Sequence, residues 1–213
     1  MTDLQSERTT IKRMAERGVY DRDTVYSILD DSYICHVGVI VDDQPIVIPT
    51  LHARVGDDLL LHGSPASRML RTAKTQDICV TVTIVDGWVL ARSALHHSMN
   101  YRSVTIMGRP EVVEEDEKVA LLDALVERLV PGRIDHLRPM TEKEAKATTV
   151  LRLPIVEAAA KVRTGPPGDD EEDYDLPIWA GVVPVESTYG EPETDPAMRM
   201  EVEVPEHAKQ FRA

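Results

Sequence analysis

The chain of 213 residues has only two cysteines, Cys35 and Cys79, and no apolar run approaches the length of a membrane span. Both cysteines lie in apolar, strand-like segments, which favours two buried free thiols, although a disulfide between them stays open at this point. The polar N-terminus, MTDLQSERTT, differs from a secretory signal peptide. We therefore expect a cytoplasmic protein without a membrane span.

Aromatic residues are scarce, at 4% with a single phenylalanine, and the chain has no excess of basic residues. Its formal net charge is −13, and residues 165–213 hold 13 acidic and 3 basic residues, so most of that charge belongs to the C-terminal tail. Without a basic stripe or interleaved aromatics, nucleic-acid binding is not expected. The acidic tail is expected to keep the protein soluble.

Several short catalytic and nucleotide-binding patterns are missing. The chain has no Gly-x-Ser-x-Gly elbow, no His-Glu-x-x-His, no Gly-x-x-x-x-Gly-Lys loop and no Gly-x-Gly-x-x-Gly. These absences leave little support for hydrolysis or for a Rossmann domain. They do not exclude a mononucleotide that is held by a barrel.

The hydrophobic patterns predict many strands with a few helices inserted among them. Helices are predicted over Asp21–Leu29 and Glu114–Val130, and Thr141 with Glu144 has the spacing of a capping box. Asp86-Gly87 is the strongest two-residue hairpin signal. Strands are predicted at Tyr33–Val41, Ile46–Leu51, Leu59–Leu61, Ile78–Val85, Trp88–Leu95, Ser103–Val113, Thr149–Pro154, Val156–Val162 and Ile178–Val185. Six or more strands in this arrangement indicate an antiparallel β-barrel with helices at its ends, a mainly β, α+β fold.

The segment Asp58–Leu70, DLLLHGSPASRML, is the most informative part of the chain. Leu59–Leu61 predict a buried strand that ends at Gly63. Ser64 is suited to an N-cap and Pro65 to the first helical position, so a helix is expected to begin at this point.

An anion site is one interpretation of this strand end. The helix would direct free backbone N–H groups and a positive dipole at it, with Ser67 and Arg68 one turn further on, and phosphate is the usual ligand of such an end. His62 lies at the end of the strand, beside the same site. The alternative interpretation is an ordinary capped helix after a strand.

A second polar cluster, residues 96–103, lies between two predicted strands. Tyr101 and Ser103 would lie on one face of a strand and Arg102 on the other. An arginine is suited to phosphate, although a solvated strand entry is an equally good interpretation. Adjacent His96 and His97 would point to opposite faces and lack further ligands at metal spacing, so no metal site is predicted.

His36 lies in an apolar strand and is expected to be a hydrogen-bonded interior histidine. His62 is therefore the histidine that we expect at a functional site.

Three groups of residues together resemble a known family: Ile48–Leu51, Leu61–Ser64 with Ser67 and Arg68, and Asn100–Val104. The chain resembles the pyridoxamine 5′-phosphate oxidase-related, FMN-binding proteins, and within them the flavin-nucleotide-binding proteins related to 5-nitroimidazole reductase. The resemblance runs from about Tyr20 to Pro184 and includes Lys161–Gly165 and Trp179–Val182.

The resemblance implies a split β-barrel that forms a homodimer and binds FMN at the subunit interface. Pro49, Thr50 and Leu51 would lie along the isoalloxazine ring. His62 matches a histidine near the flavin and is a tentative catalytic residue, and Trp179 would reach the cofactor of the partner. The other residues expected to bind the cofactor, most of them at its phosphate, are Gly63, Ser64, Ser67, Arg68, Tyr101, Arg102, Ser103 and Lys161.

The expected function is that of an FMN-dependent oxidoreductase acting on a small organic substrate. A non-catalytic flavin-binding or storage protein, and a haem-binding variant of the same barrel, remain alternatives. The expected organisation is an N-terminal arm (1–18), the FMN-binding split β-barrel domain (19–185) and an acidic tail (186–213). The substrate-binding C-terminal pattern of a true pyridoxamine phosphate oxidase is not found, so the resemblance does not identify the substrate.

Overall fold

A computed structural model describes residues 4–210, and ten strands form a single antiparallel sheet in this part of the chain. The family's barrel is thus confirmed as an α+β fold, although the sheet does not close on itself. The strands are β1 (Gly18–Val19), β2 (Ile34–Val41), β3 (Gln44–Val55), β4 (Asp58–Gly63), β5 (Ile78–Leu90), β6 (Ser98–Gly108), β7 (Glu111–Val112), β8 (Thr149–Pro154), β9 (Ala158–Arg163) and β10 (Gly181–Pro184).

The five α-helices of the described residues are α1 (Arg22–Asp30), α2 (Arg68–Ala73), α3 (Glu115–Leu129), α4 (Glu142–Lys146) and α5 (Glu206–Lys209). The side chain of Asp21 caps α1 by accepting from the backbone N–H of Thr24 at 2.8 Å. Thr141 and Glu144 form the predicted capping box at the start of α4. No helix in residues 4–210 is long and apolar enough to cross a bilayer.

The strand order is β1-β9-β6-β5-β2-β3-β4-β8-β7, and β10 pairs with the C-terminal half of β5. Alternate residues of most strands point into one apolar core, as the buried Cys35, Val37 and Val39 of β2 do. α1 packs its buried Val25, Ile28 and Leu29 into the same core. α3 covers a second region on the outside of the sheet, where Leu125 contacts Ala53 and Leu60.

The β2–β3 hairpin is tighter than predicted. Asp42 and Asp43 form a two-residue turn with φ of 50° and 58°, so β3 begins already at Gln44. Two consecutive left-handed residues are the geometry of a type I′ turn, which matches the twist of the flanking strands.

The hairpin predicted at Asp86-Gly87 is wrong, because β5 runs through both residues to Leu90. The register against β6 shifts between Val85 and Gly87, so this dipeptide forms a bulge within the strand. A Cβ on Gly87 would lie 3.0 Å from the carbonyl oxygen of Val183, so the bulge needs glycine to let β10 approach.

The helix after β4 begins later than predicted. Ser67, not Ser64, is the N-cap of α2, and its Oγ accepts a hydrogen bond from the N–H of Leu70 at 3.4 Å. Residues 64–67 form a turn, which is closed by a bond from the N–H of Ser67 to the carbonyl of Ser64 at 2.9 Å. Pro65 occupies this turn and not the first position of the helix.

Both ends of the chain continue beyond the strands. Leu4 is buried in the core, and its N–H donates to the carbonyl of Tyr20 at 3.1 Å. The side chain of Tyr189 hydrogen-bonds that of Tyr33 at the start of β2, which raises the pKa of Tyr189 to about 12. The division into arm, barrel and tail stays a prediction, and residues 1–3 and 211–213 lie outside the described part.

Candidate functional site

The outward face of the sheet carries six of the thirteen residues expected to bind the cofactor. Strand register defines this face, because residues opposite each other in neighbouring strands point to the same side. One row of opposed residues runs through Thr105, Thr81, His36 and Pro49. By the alternation of side chains along each strand, the same face also presents Leu51, Tyr101, Ser103, Lys161 and Arg163.

His36 is therefore not an interior histidine. It is exposed on the outward face, because the interior positions of β2 are taken by its neighbours of opposite parity. The two cysteines also lie on opposite faces, since Cys35 points inward while Cys79 is opposite Gly38 on the outward face. They cannot form a disulfide with each other, and both are free thiols.

The outward face of the β2–β3 hairpin is apolar and open. Ile40 is 50% exposed and Val47 61% exposed, and Ile34 and Leu51 are also largely exposed. The outward-facing residues are those from Ile34 to Ile40 on β2 and from Pro45 to Leu51 on β3 that alternate with the inward-facing ones. Of these, His36 alone has an ionisable side chain. An apolar surface of this extent marks an interaction site.

The edge of β3 that faces away from β2 is unpaired over its first half. β4 pairs with β3 only from His52 onward. The N–H of His52 donates to the carbonyl of Tyr33 at 3.1 Å, so by alternation the main-chain groups of Pro49 point away from β2. The carbonyl of Pro49 is thus directed to the open edge, where Pro45 and Pro49 supply no N–H.

His62 lies at the end of β4, on the outward face and opposite Val150 of β8. It is partly buried, and burial lowers the pKa of its imidazole. Its Nδ1 is buried without a hydrogen-bond partner in the described residues. A neutral imidazole with an unpartnered nitrogen is suited to contact a ligand that the protein itself does not supply.

The turn before α2 contains the residues expected to hold a phosphate. The Oγ of Ser64 accepts from the N–H of Ala66 at 3.2 Å, and Ser67 caps the helix. The guanidinium of Arg68 extends to Asp42 of the β2–β3 turn at 3.2 Å, with side-chain exposures of 58% and 89%. An ion pair this exposed holds the arginine weakly, so Arg68 is available to an anion.

The polar residues 101–103 of β6 lie alternately on the two faces of the strand, as predicted. Tyr101 and Ser103 lie on the outward face, and the Oγ of Ser103 donates to the carbonyl of Lys161 at 3.3 Å. The ammonium of Lys161 donates to the carbonyl of Arg13 at 3.3 Å. Lys161 therefore fastens the N-terminal segment to β9.

Arg102 has the opposite parity and points to the end of the barrel interior. Its guanidinium contacts Asp86 at 3.0 Å and Asp31 at 2.6 Å. Hydrogen bonds to Asp86 are the main reason why the pKa of Arg102 is raised. The two carboxylates already balance its charge, which makes it a poor partner for a phosphate.

Trp179 lies before β10 and is 67% exposed. Its ring packs over Gly181, where a Cβ would approach the indole to 2.9 Å. Trp88, Ile178 and Val183 are also exposed nearby in the chain or across the β5–β10 pair. We call Trp179 and these three residues the exposed arm, although β10 itself is paired with β5.

The expected cofactor residues that lie on the outward face thus form two groups. Pro49, Leu51 and His62 lie on β3 and β4, while Tyr101 and Lys161 lie on β6 and β9. β4 and β9 are five strands apart in the sheet order, which is about 24 Å along the sheet. Within one chain, the two groups do not surround a single ring.

Sequence reasoning assigned no role to three arginines, Arg13, Arg17 and Arg163, that line one cavity with His96 and His97. Alternation along β9 offered a signal for one of them, since Lys161 and Arg163 share a face. No local pattern connects Arg13 with Arg163, because they are far apart in the chain.

Comparison with known proteins agrees with this architecture. Residues 21–162 match the family model described as pyridoxamine 5′-phosphate oxidase. The flavocytochrome Anf3 from Azotobacter vinelandii is similar over 97% of both chains, with 45% identity and a TM-score of 0.93. The FAD and haem binding protein from Mycobacterium smegmatis is 37% identical over 92% of this chain and 97% of its own, with a TM-score of 0.89.

A 5-nitroimidazole antibiotic resistance protein from Bacteroides thetaiotaomicron shares the fold at 21% identity, over 68% of this chain and 86% of its own, with a TM-score of 0.58. No curated protein matches the sequence. The strand order and the fold that the chain shares with these structures identify it as a split β-barrel protein. Within that class, the chain belongs to the pyridoxamine 5′-phosphate oxidase family.

Proposed function

We propose that the protein is a homodimeric flavin-binding redox protein whose flavin lies on the outward face of the sheet, beside the open edge of β3. The observation that carries this proposal is the apolar face next to that edge, bordered by the unpartnered Nδ1 of His62. A flavin ring is planar and largely apolar with polar atoms along its rim, and this surface complements both properties.

The ring would lie along Pro49, Thr50 and Leu51. The carbonyl of Pro49 is directed at the open edge and is available to a ring N–H. His62 would contact the ring or a substrate as a neutral imidazole, because burial lowers its pKa. When bound, the flavin supplies the electron transfer, and these residues supply its orientation.

The phosphate of the FMN moiety would lie at the turn before α2, with Gly63 at the end of the adjoining strand. Ser64, Ser67 and the weakly held Arg68 supply hydroxyl and guanidinium donors there. Arg102 is held by Asp31 and Asp86, so we propose that it stabilises the strands around the site and does not bind the phosphate.

We include dimerisation in the proposal because the two groups of cofactor residues lie too far apart within one chain to contact the same flavin. A twofold axis across the apolar face would bring Tyr101, Ser103 and Lys161 of one subunit towards Pro49 and His62 of the other. The exposed arm around Trp179 would also be covered by the partner.

FMN was the cofactor expected from the sequence, and FAD contains the same FMN moiety. The names of the two relatives at 45% and 37% identity, a flavocytochrome and an FAD and haem binding protein, support FAD and a second cofactor, haem. We therefore include FAD in the proposal, and treat haem binding as a second function.

His97 offers a nitrogen ligand that suits haem iron. The Nδ1 of His97 lies 2.8 Å from the carbonyl of Ser93. A carbonyl only accepts, so Nδ1 carries the proton and the lone pair of Nε2 is free, which is the tautomer that binds haem iron. His97 lines a cavity together with Met14 and Leu95, which are apolar.

Absorption spectra of the purified protein test both cofactors. We expect flavin bands near those of free flavin, together with a Soret band if haem is bound. Anaerobic mixing with reduced nicotinamide then distinguishes a reductase from a storage protein. The flavin of a reductase loses its absorption and regains it when a small organic acceptor is added, whereas the flavin of a storage protein does not change. A colourless protein that takes up neither flavin nor haem would contradict the proposal.

A further inference from the structure

A cavity of about 790 Å³ lies between the N-terminal segment, the turn before β6 and the loop after β9. Its lining brings together Arg13 and Arg17 from the first of these, His97 from the second, and Arg163 from β9. The volume is that of a site for a cofactor-sized ligand. Arg163 is opposite Tyr101, so the cavity adjoins the β6–β9 end of the outward face.

The lining is strongly cationic in a protein with a formal net charge of −13. Its positive charge comes from three arginines, and none of the described lining residues is acidic. Within residues 4–210, neither Arg13 nor Arg163 has a carboxylate partner, and Glu16 approaches Arg17 only at 3.9 Å with 69% of its own side chain exposed.

Arg163 is held by neutral groups. Its guanidinium donates to the side-chain oxygen of Asn100 and to the carbonyl of Pro166. Burial and the nearby charge of Arg17 lower the pKa of Arg163. Two cations are therefore kept close together with only the loosely paired Glu16, 3.9 Å from Arg17, to balance them, although this arrangement is unfavourable.

The nearby carboxylates do not pair with the arginines of the cavity. Asp169 contacts Arg92 at 2.8 Å, and Asp170 lies 3.6 Å from the lining residue His96. Lys161 adds a further positive charge beside Arg13. A cluster of cations that acidic neighbours leave uncompensated has the electrostatics of an anion-binding site.

We infer that this cavity binds a pair of adjacent anionic groups on a large ligand, with Arg17 and Arg163 as the main donors. The inference rests on the proposed function, in which haem supplies such a pair, its two propionates, to the cavity that contains His97. The diphosphate of FAD does not fit this cavity, because it includes the FMN phosphate that the proposed function assigns to the turn before α2. Guanidinium groups suit the propionates, because they form charge-assisted, paired hydrogen bonds to carboxylate.

The test is cofactor titration of the stripped full-length protein and of the variants Arg17→Gln, Arg163→Gln and the double variant. Arg199→Gln is the matched control, because Arg199 is an exposed arginine of the tail. Flavin fluorescence reports FAD and FMN, and the Soret band reports haem. Thermal unfolding of each variant checks that it is folded.

We expect each single variant to weaken haem binding about tenfold, while the affinities for FAD and FMN stay unchanged and the Arg199→Gln control binds haem as the wild type does. Unchanged haem affinity in both single variants overturns the inference, as does an equal loss of flavin affinity.

A separate arm distinguishes failure of this inference from failure of the proposed function. If the wild-type protein binds no haem, the haem part of the proposed function fails, whether or not flavin is bound, and inorganic pyrophosphate is then the probe of the cavity. Thermal stabilisation of the wild type, but not of the double variant, by pyrophosphate would still support the anion site. Equal stabilisation of both, or of neither, would overturn it.

Discussion

The guanidinium of Arg102 lies 3.0 Å from the carboxylate of Asp86, which belongs to the bulge in β5. The same guanidinium reaches Asp31 at the C-terminal end of α1. Arg102 thus joins the C-terminal end of α1 to β5 and β6, which are neighbours in the sheet. A bulge that resembles a turn in the sequence is stabilised by this ion pair.

Arg102→Gln should lower the free energy of unfolding by about 1–3 kcal/mol, because it leaves two carboxylates without their cation. Urea denaturation measures this loss. Flavin affinity should fall less than in Arg68→Gln. A full loss of flavin binding with unchanged stability would instead place Arg102 at the phosphate.

Arg68→Glu should abolish flavin retention and leave the fold intact. The side chain is exposed and its ion pair with Asp42 is weak, so stability does not depend on it. The measurement is flavin content after gel filtration, together with thermal unfolding. Arg71→Glu, in the last turn of the same helix, is the control and should retain the flavin.

His62→Gln should weaken flavin binding or slow flavin reduction about tenfold, because the neutral imidazole is expected to contact the ring or the substrate. Fluorescence titration and stopped-flow reduction separate the two effects. His136→Gln, away from β4, should change neither. If His62→Gln retains both affinity and turnover, the proposed role of His62 is wrong.

Protein stability should fall as the pH drops below about 6.5. His52 is fully buried, its imidazole is 3.1 Å from the carbonyl of Leu29, and burial lowers its pKa. The unfolded chain therefore takes up a proton at a pH where the folded protein does not, so folding stability is complete above pH 6.5 and is lost below it.

The check is the urea midpoint between pH 7 and pH 5 for the wild type and for His52→Leu. The variant loses a buried hydrogen bond and should be less stable at pH 7, but its midpoint should depend less on pH. An unchanged pH dependence would assign the acid sensitivity to other groups, such as His62.

Val47→Lys should produce a monomer. Val47 is 61% exposed in the middle of the apolar face, and a buried, unpaired ammonium would oppose association there. Sedimentation velocity measures the oligomeric state, and Val156→Lys is the control, since Val156 is 65% exposed between β8 and β9. A dimeric Val47→Lys variant would place the interface elsewhere.

Local patterns sufficed for the elements whose signals lie within a few residues. The capping box at Thr141 and the apolar spacing of α3 are of this kind, and both are confirmed. Asp86-Gly87 was misleading because a bulge and a type I′ turn require the same residues. Only the approach of β10, a strand nearly a hundred residues later in the chain, distinguishes them.

The site was predictable where strand parity decides it. Tyr101 and Ser103 share a face and Arg102 does not, as their spacing requires. His36 was misplaced because an apolar strand with one open face has the same composition as a fully buried one. The cavity of Arg13, Arg17 and Arg163 depends on long-range contacts that no single segment encodes.

The two prolines on the open edge of β3 determine what kind of contact this edge allows. A strand that approached it would find carbonyl groups but no N–H at Pro45 or Pro49, so it could not complete a ladder. Subunits can therefore associate face to face across this region but cannot extend the sheet through it. The open apolar face is thereby also protected against fibrous self-association.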